Sequence, residues 1–163
     1  MTRACGACSL CCKLLYVTEL NKPIDIWCPH CKPGHGGCTI YADRPTSCRT
    51  FVCGWLSGEL KIGDEWFPPH CKMIIARAPD KGFLIIVDPA FPNAWRRAPY
   101  YEQLLALVKR SFVKIRVGRR FIRLNADGSE RHCWVEQPAP LYAVLDDHLQ
   151  AVGYAGPGTD VEP

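Results

Sequence analysis

Residues 72–88 read KMIIARAPDKGFLIIVD and contain two short apolar runs that are rich in β-branched residues. The runs KMIIARA (72–78) and FLIIVD (83–88) flank the segment APDKG. β-Branched side chains favour strands, and a segment with proline, aspartate and glycine between two such runs indicates a turn. We therefore predict a β-hairpin at this point, and we expect the middle of the chain to form a β-sheet.

The chain after the hairpin combines helical patterns with further strands. Apolar residues recur at helical spacing in PYYEQLLALVKRSF, which begins at Pro99, and a helix is predicted there. Strands are predicted at 113–117 and 120–125 and then to about Val135, with turns at Gly118–Arg119 and at Asp127–Gly128. A second, short amphipathic helix is predicted over 141–152. These elements predict an α+β fold, in which a Cys-rich, irregular N-terminal metal module packs on a small antiparallel sheet with two helices.

The length, charge and apolar content of the chain limit the classes of protein to which it can belong. The chain has 163 residues and a formal net charge of +4, a mild excess that does not by itself identify a nucleic-acid or membrane partner. No apolar stretch approaches the roughly 18 residues that span a bilayer. The first residues also lack the apolar h-region of a signal peptide. We expect a cytoplasmic protein with no membrane partner, whose thiols stay reduced.

The eleven cysteines divide the chain near residue 71. Ten of them lie before residue 72, in a stretch that is also rich in Gly and Pro, and only Cys133 lies beyond it. We predict a Cys-rich metal-binding module over 1–71 and an α+β body over 72–163, together in one compact domain. A disulfide scaffold is the alternative, but the odd number of cysteines and the lack of an export signal argue against it.

Several of these cysteines have the spacing of metal ligands. CGAC and CSLC overlap in residues 5–11, CPHC covers 28–31, and the looser pair CRTFVC covers 48–53. Two thiolates in a tight turn of this kind can reach one metal centre. Zinc takes four nitrogen or sulfur ligands, and an iron–sulfur cluster takes about four thiolates, so both fit. The run is not that of a bacterial ferredoxin, because the next cysteine, Cys12, is immediately adjacent.

The order of the motifs resembles a known family. CSLCC (8–12), WCPHC (27–31) and GGCTIYADRPTSCRTFVCGW (36–55) are similar to the frame of the CxxCxxCC family, also called the YkgJ-like cysteine cluster proteins. That family is described as a zinc- or iron-chelating domain, so the resemblance implies a metal-binding protein that holds zinc, iron or an Fe–S cluster. The ligands that it implies are Cys8, Cys11, Cys12, Cys28, Cys38, Cys48 and Cys53, with Cys5 and Cys31 as further candidates.

Other residues near this frame have alternative interpretations. His30, His35 and His70 could replace a sulfur ligand, although a solvated loop histidine is the commoner case. Arg44 is expected to stabilise thiolate charge or to cap a turn. Tyr41 and Trp55 are expected to pack around the metal. Cys71 and Cys133 lie outside the frame, and Cys133 is expected to be a buried, inert thiol.

A basic stretch provides the alternative function. Residues 109–123 contain seven basic residues and no acid. With a turn at Gly118–Arg119, Arg116 faces Phe121 and Lys114 faces Arg123, while Val113, Ile115, Ile122 and Leu124 point to the core. This basic face (114–123) would suit a nucleic-acid or acidic partner, although a solvated face is the simpler interpretation. A relation to methyltransferases is a remote further alternative. No catalytic motif is defined, so whether the chain is an enzyme stays open, with a non-enzymatic role favoured.

Overall fold

The computed structural model describes residues 3–33, 37–78 and 82–134. The helix expected over 141–152 lies outside these residues, as do His35 and the expected end of the last strand at Val135. None of the helices in the described part of the chain has the length and apolar character that crossing a bilayer requires.

A five-stranded sheet forms the centre of the fold, and its strands lie in sequence order. The strands are β1 (Met73–Arg77), β2 (Phe83–Val87), β3 (Val113–Val117), β4 (Arg120–Leu124) and β5 (Glu130–Trp134). The hairpin predicted from residues 72–88 is confirmed as the antiparallel pair β1–β2. Glycines in the left-handed region make the next two turns, Gly118 at φ 59° and Gly128 at φ 85°.

The prediction of an antiparallel sheet is wrong at one pair of strands. β2 and β3 run parallel, with Phe83 opposite Val113 and Val87 opposite Val117. Parallel neighbours need a long crossover, and residues 88–112 provide one that contains the helix α5 (Tyr100–Val108). The sheet is therefore mixed, and the fold is α+β.

Four further α-helices lie before the sheet in the described part of the chain. They are α1 (Leu10–Leu14), α2 (Thr46–Thr50), α3 (Gly54–Ser57) and α4 (Pro68–Cys71). The helix α1 ends at Leu14. Leu15 is already extended, and the backbone of Val17 pairs with that of Lys22 through two hydrogen bonds of 3.0 Å.

Residues from the first half of the chain cover both faces of the sheet. On one face Trp55, Trp66 and Cys71 pack with α5 and with the strand residues that the sequence assigned to the core, Val113, Ile115, Ile122 and Leu124. On the other face Leu10, Leu14 and Leu15 pack against a second cluster formed by Ile74, Ala76, Leu84, Ile86 and Phe121. The hydrophobic core therefore lies on both sides of the sheet, and α1 is part of it.

The predicted register of the basic hairpin is confirmed, but its environment differs from the prediction. Arg116 does face Phe121, and Lys114 faces Arg123. Arg116 is only 3% exposed and Phe121 only 8%, because α1 and the chain that follows it lie over them. Neither a solvated face nor a nucleic-acid surface is therefore present at these two residues.

Candidate metal centre

The helix α1 holds the first cysteines at the sheet. Leu10 and Leu14 are four residues apart, so they share one face of the helix, and both are buried against the sheet. Cys11 and Cys12 lie between them and are half-buried. The turn before the helix is closed by a hydrogen bond of 2.8 Å from Cys8 N to Cys5 O, which brings those two residues to the same end of α1.

The second group of cysteines returns to α1 through the backbone. Cys28 N donates to Cys12 O at 3.0 Å, and Cys31 N donates to Cys28 O at 3.0 Å. The backbones of Cys31 and Cys38 form an isolated antiparallel bridge, so Cys38 lies beside this pair. Three sequence-predicted ligands are thus held in a loop that has few regular elements of its own.

The third group lies around α2 and α3. Cys48 lies within α2, and Cys53 immediately precedes the first residue of α3. The Glu19 carboxylate accepts from Ser47 N at 3.0 Å and from Ser47 Oγ at 2.7 Å, which ties α2 to the short helix Thr18–Leu20 that follows α1. This tie sets the position of Cys48 relative to α1.

Cys12 lies at the centre of the thiol contacts. Its side chain interacts electrostatically with those of Cys11 and Cys31, and also with those of Cys5, Cys8 and Cys48. Cys53 interacts electrostatically with Cys5 and Cys8, whereas Cys28 does so with Cys31 and Cys48. Eight of the nine cysteines predicted as ligands therefore interact with one another through their side chains. Cys38 joins them through its backbone.

The pKa values of the thiols rise where they meet. Burial, with a smaller contribution from neighbouring thiols, raises the pKa of Cys8 to about 11 and that of Cys31 to about 11. The pKa of Cys12 is raised chiefly by its hydrogen bond with Cys11 and secondarily by burial. Without a metal these thiols are protonated at neutral pH. Any metal ion that binds thiolates here must therefore release protons.

Two buried cations, Lys22 and Arg116, lie at the end of α1, although the sequence analysis placed Arg116 on a basic face and did not single out Lys22. Lys22 is 3% exposed and donates from Nζ to Lys13 O at 2.7 Å and to Leu15 O, the last carbonyls of α1. Burial lowers the pKa of Lys22 to about 8, against the effect of the nearby Cys28. Arg116 donates to both oxygens of Asp25, at 2.9 and 3.1 Å. Only the contacts of the folded chain show that these two side chains are buried.

The remaining candidate residues have different roles. Arg44 Nε donates to Tyr41 O at 3.0 Å, and its charge lowers the pKa of Cys5 against the larger effect of burial. Tyr41 does not pack around the cysteines as expected, because it is 60% exposed with Arg44 stacked on its ring. Trp55 is buried as expected, although in the sheet core. His70 is exposed and packs on Phe67.

Cys71 and Cys133 lie outside the frame, although Cys71 also interacts electrostatically with Cys8 and Cys53. Cys71 is fully buried, and its Sγ donates to Met73 O at 3.2 Å. Burial raises the pKa of Cys71 to about 12. Cys133 is half-buried, not buried as expected, and packs against the sheet face that α1 covers.

The donor set suits a soft metal, but it is not arranged in coordination geometry. All eleven cysteines are free thiols. Within residues 3–33, 37–78 and 82–134, no three His, Cys, Asp or Glu side chains form a group that could hold a metal ion as they stand. Binding zinc or iron therefore requires thiol side chains to rotate toward a common centre.

Comparison of the chain with family models, with curated proteins and with solved structures found no match. The resemblance to the CxxCxxCC family therefore stays a prediction that depends on the order of the cysteine motifs.

Proposed function

We propose that this chain is a metal-binding protein, whose N-terminal cysteines hold zinc or iron, the latter as an ion or in an iron–sulfur cluster. The ligands come from Cys8, Cys11, Cys12, Cys28, Cys38, Cys48 and Cys53, with Cys5 and Cys31 as further candidates. The observation that carries the proposal is the position of Cys12, whose thiol lies close enough to interact electrostatically with Cys5, Cys8, Cys11, Cys31 and Cys48. These cysteines come from segments far apart in sequence.

The packing of residues 18–54 supports a role for the metal in folding. Among the described residues of this segment only Lys22 and Cys28 are buried, so hydrophobic burial contributes little to its order. Ordering a residue costs about 1–2 kcal/mol of backbone entropy. A structural zinc ion supplies roughly 10–16 kcal/mol of apparent binding free energy, which is large beside the 5–15 kcal/mol of net stability of a typical domain. Metal bonds are an adequate source of order for this segment.

The thiol chemistry supports binding to a soft or borderline metal. Zinc and the iron of iron–sulfur clusters are both bound by thiolate sulfur. Binding of either metal would therefore deprotonate the thiols. The buried charge of Lys22 lies near Cys28 and Cys12 and would offset part of the negative charge that a set of thiolates creates. The metal would cross-link α1 to the loop 28–38 and to α2 and α3.

Metal analysis of the purified protein tests the proposal. Protein prepared without oxygen should contain at least about one equivalent of zinc, or of iron with a matching amount of acid-labile sulfide. A brown colour with visible absorption identifies an iron–sulfur cluster, whereas colourless protein with zinc identifies a zinc site. Less than about half an equivalent of either metal per chain would overturn the proposal.

A further inference from the structure

Two of the cysteines lie directly opposite each other in the loop 28–38. The backbones of Cys31 and Cys38 form an isolated antiparallel bridge. The two backbone hydrogen bonds that flank this bridge, 3.3 and 2.8 Å long, join the chain neighbours of the two cysteines. These bonds run from Lys32 N to Gly37 O and from Thr39 N to His30 O. This pattern defines Cys31 and Cys38 as a non-hydrogen-bonded pair.

This pairing places the two residues at the separation that a disulfide bond requires. In a non-hydrogen-bonded pair the Cα atoms are about 4.5 Å apart, and the two side chains point to the same face. A disulfide forms without backbone movement where the Cα atoms are about 4.4–6.8 Å apart and the Cβ vectors do not diverge. Among the described residues, no other two cysteines are paired across a sheet or a bridge.

A cleft gives one member of the pair access to small molecules. The cleft has a volume of about 530 Å³ and is lined by Cys38 and Cys5, with Gly37 beside them. A Cβ atom added at Gly37 would meet no other atom within 4 Å, so the backbone next to Cys38 borders open space. The volume lies within the range of small-molecule sites. A molecule that carries its own disulfide can therefore reach Cys38.

The other member of the pair belongs to the thiol cluster. Cys31 interacts electrostatically with Cys12 and Cys28, whereas Cys38 joins the cluster through its backbone. Both cysteines are half-buried free thiols in this structure. A sulfur atom that enters a disulfide is no longer available as a thiolate ligand. Oxidation of this pair would therefore remove Cys31 from the sulfur atoms around Cys12.

We propose that Cys31 and Cys38 are a redox-active pair, which a small-molecule disulfide such as oxidised glutathione converts into a reversible disulfide bond. Cys38 loses its proton and attacks one glutathione sulfur, so the glutathione S–S bond breaks and the first glutathione leaves as a thiol with that proton. Cys31 then loses its proton and attacks the Cys38 sulfur, and the second glutathione leaves as a thiol. Two cysteines are oxidised and one glutathione disulfide is reduced, so no further reactant is needed.

The disulfide follows from the backbone geometry alone, whereas its effect on a metal rests on the proposed function. If Cys31 and Cys38 are ligands, the disulfide and the metal compete for the same two sulfur atoms, and oxidation releases the metal. A single reversible bond between these two residues is different from the disulfide scaffold considered for the whole chain. It would make metal binding dependent on the thiol–disulfide balance of the surroundings.

Differential alkylation of the full chain, as purified, tests this proposal. The protein is incubated with oxidised glutathione at about pH 8, where thiol exchange is faster than at neutral pH, and its free thiols are blocked with N-ethylmaleimide. It is then reduced and labelled with iodoacetamide, and mass spectrometry identifies the cysteines that were oxidised. Cys31 and Cys38 should carry the second label in most chains. The intact mass before reduction should show one intramolecular disulfide and no bound glutathione.

Three serine variants identify the partners. Cys38→Ser should lower the yield of intramolecular disulfide at least about tenfold, and Cys31→Ser should leave Cys38 as a mixed disulfide with glutathione. The matched control is Cys5→Ser, which removes the other cysteine of the same cleft. It should change the yield by less than about twofold, because Cys5 takes no part in the bond.

Absence of the Cys31–Cys38 disulfide in the wild type, or a bond that joins Cys31 to Cys12 or Cys38 to Cys5, would overturn the proposal. This result does not require any variant to fold. Metal analysis of the same samples separates the two claims. The disulfide in protein without zinc or iron would support the redox pair and overturn the proposed function. Metal content that is unchanged in fully oxidised protein would overturn the competition between disulfide and metal.

Discussion

Replacing Asp25 by Asn isolates the buried ion pair that joins the N-terminal segment to the sheet. The Arg116 guanidinium is 3% exposed and donates to both Asp25 carboxylate oxygens, to Leu14 O at 2.9 Å and to Gly118 O at 3.0 Å. Its Nε is buried without a hydrogen-bond partner among the described residues. The carboxylate is therefore the main compensation for a charge that water does not reach.

The expected loss follows from what Asn retains. Removing one partner of a buried ion pair costs about 3–5 kcal/mol, because a charge is left uncompensated. Asn keeps the shape and one acceptor oxygen of Asp, and it tolerates the left-handed backbone of residue 25 (φ 61°). Arg116 also keeps its two carbonyl acceptors. We therefore expect Asp25→Asn to lower the free energy of unfolding by about 2–3 kcal/mol, somewhat below the full range.

Urea unfolding followed by tryptophan fluorescence measures this loss, since Trp55, Trp66 and Trp95 are buried in the core. The control is Glu59→Gln, which breaks the Glu59–Arg77 pair, whose side chains are 57% and 56% exposed. That variant should cost no more than about 0.5 kcal/mol. If Asp25→Asn costs no more than the control, the buried pair does not hold the N-terminal segment on the sheet and the reasoning is refuted.

Three further predictions concern the core, the sheet edge and the cysteine segment. Ile85→Ala, at a fully buried position in the sheet core, should cost about 2–5 kcal/mol in urea unfolding, and a loss below about 1 kcal/mol would contradict the core assignment. The hydrogen bond from Arg96 lowers the pKa of Glu130, so its contribution is present above the unfolded pKa and is lost as pH falls through the folded pKa. The difference in stability between the wild type and Glu130→Gln should therefore shrink below about pH 4, and a constant difference would contradict it. Removal of the metal with a chelator should confine new proteolytic cuts to residues 13–70, and full resistance after metal loss would indicate a centre on a preformed scaffold.

The strands could be predicted because their determinants are local. Alternation of apolar and basic residues over 113–124, with Gly118 at the turn, fixed both strands and the pairing of Arg116 with Phe121. The parallel pairing of β2 with β3 could not be predicted in the same way. It depends on which edge of the hairpin the crossover through α5 reaches, and that choice is made by tertiary packing.

The candidate site could likewise be predicted only where its determinants are local. The cysteines were visible as motifs, but their grouping around Cys12 depends on contacts between segments far apart in the chain. The burial of Lys22 and Arg116 could not be predicted, because a buried cation has the same sequence signal as an exposed one. The burial of the Arg116 charge is explained only by its ion pair with Asp25. That residue lies 91 positions away, in the segment that covers the sheet.

Metal content in two cysteine variants tests the central claim most directly. Cys12 lies at the centre of the thiol contacts, whereas Cys133 lies on β5 outside the cluster. Protein prepared without oxygen should lose most of its zinc or iron in Cys12→Ser and keep the wild-type amount in Cys133→Ser. Full metal content in Cys12→Ser, or equal loss in both variants, would contradict a metal centre built around Cys12.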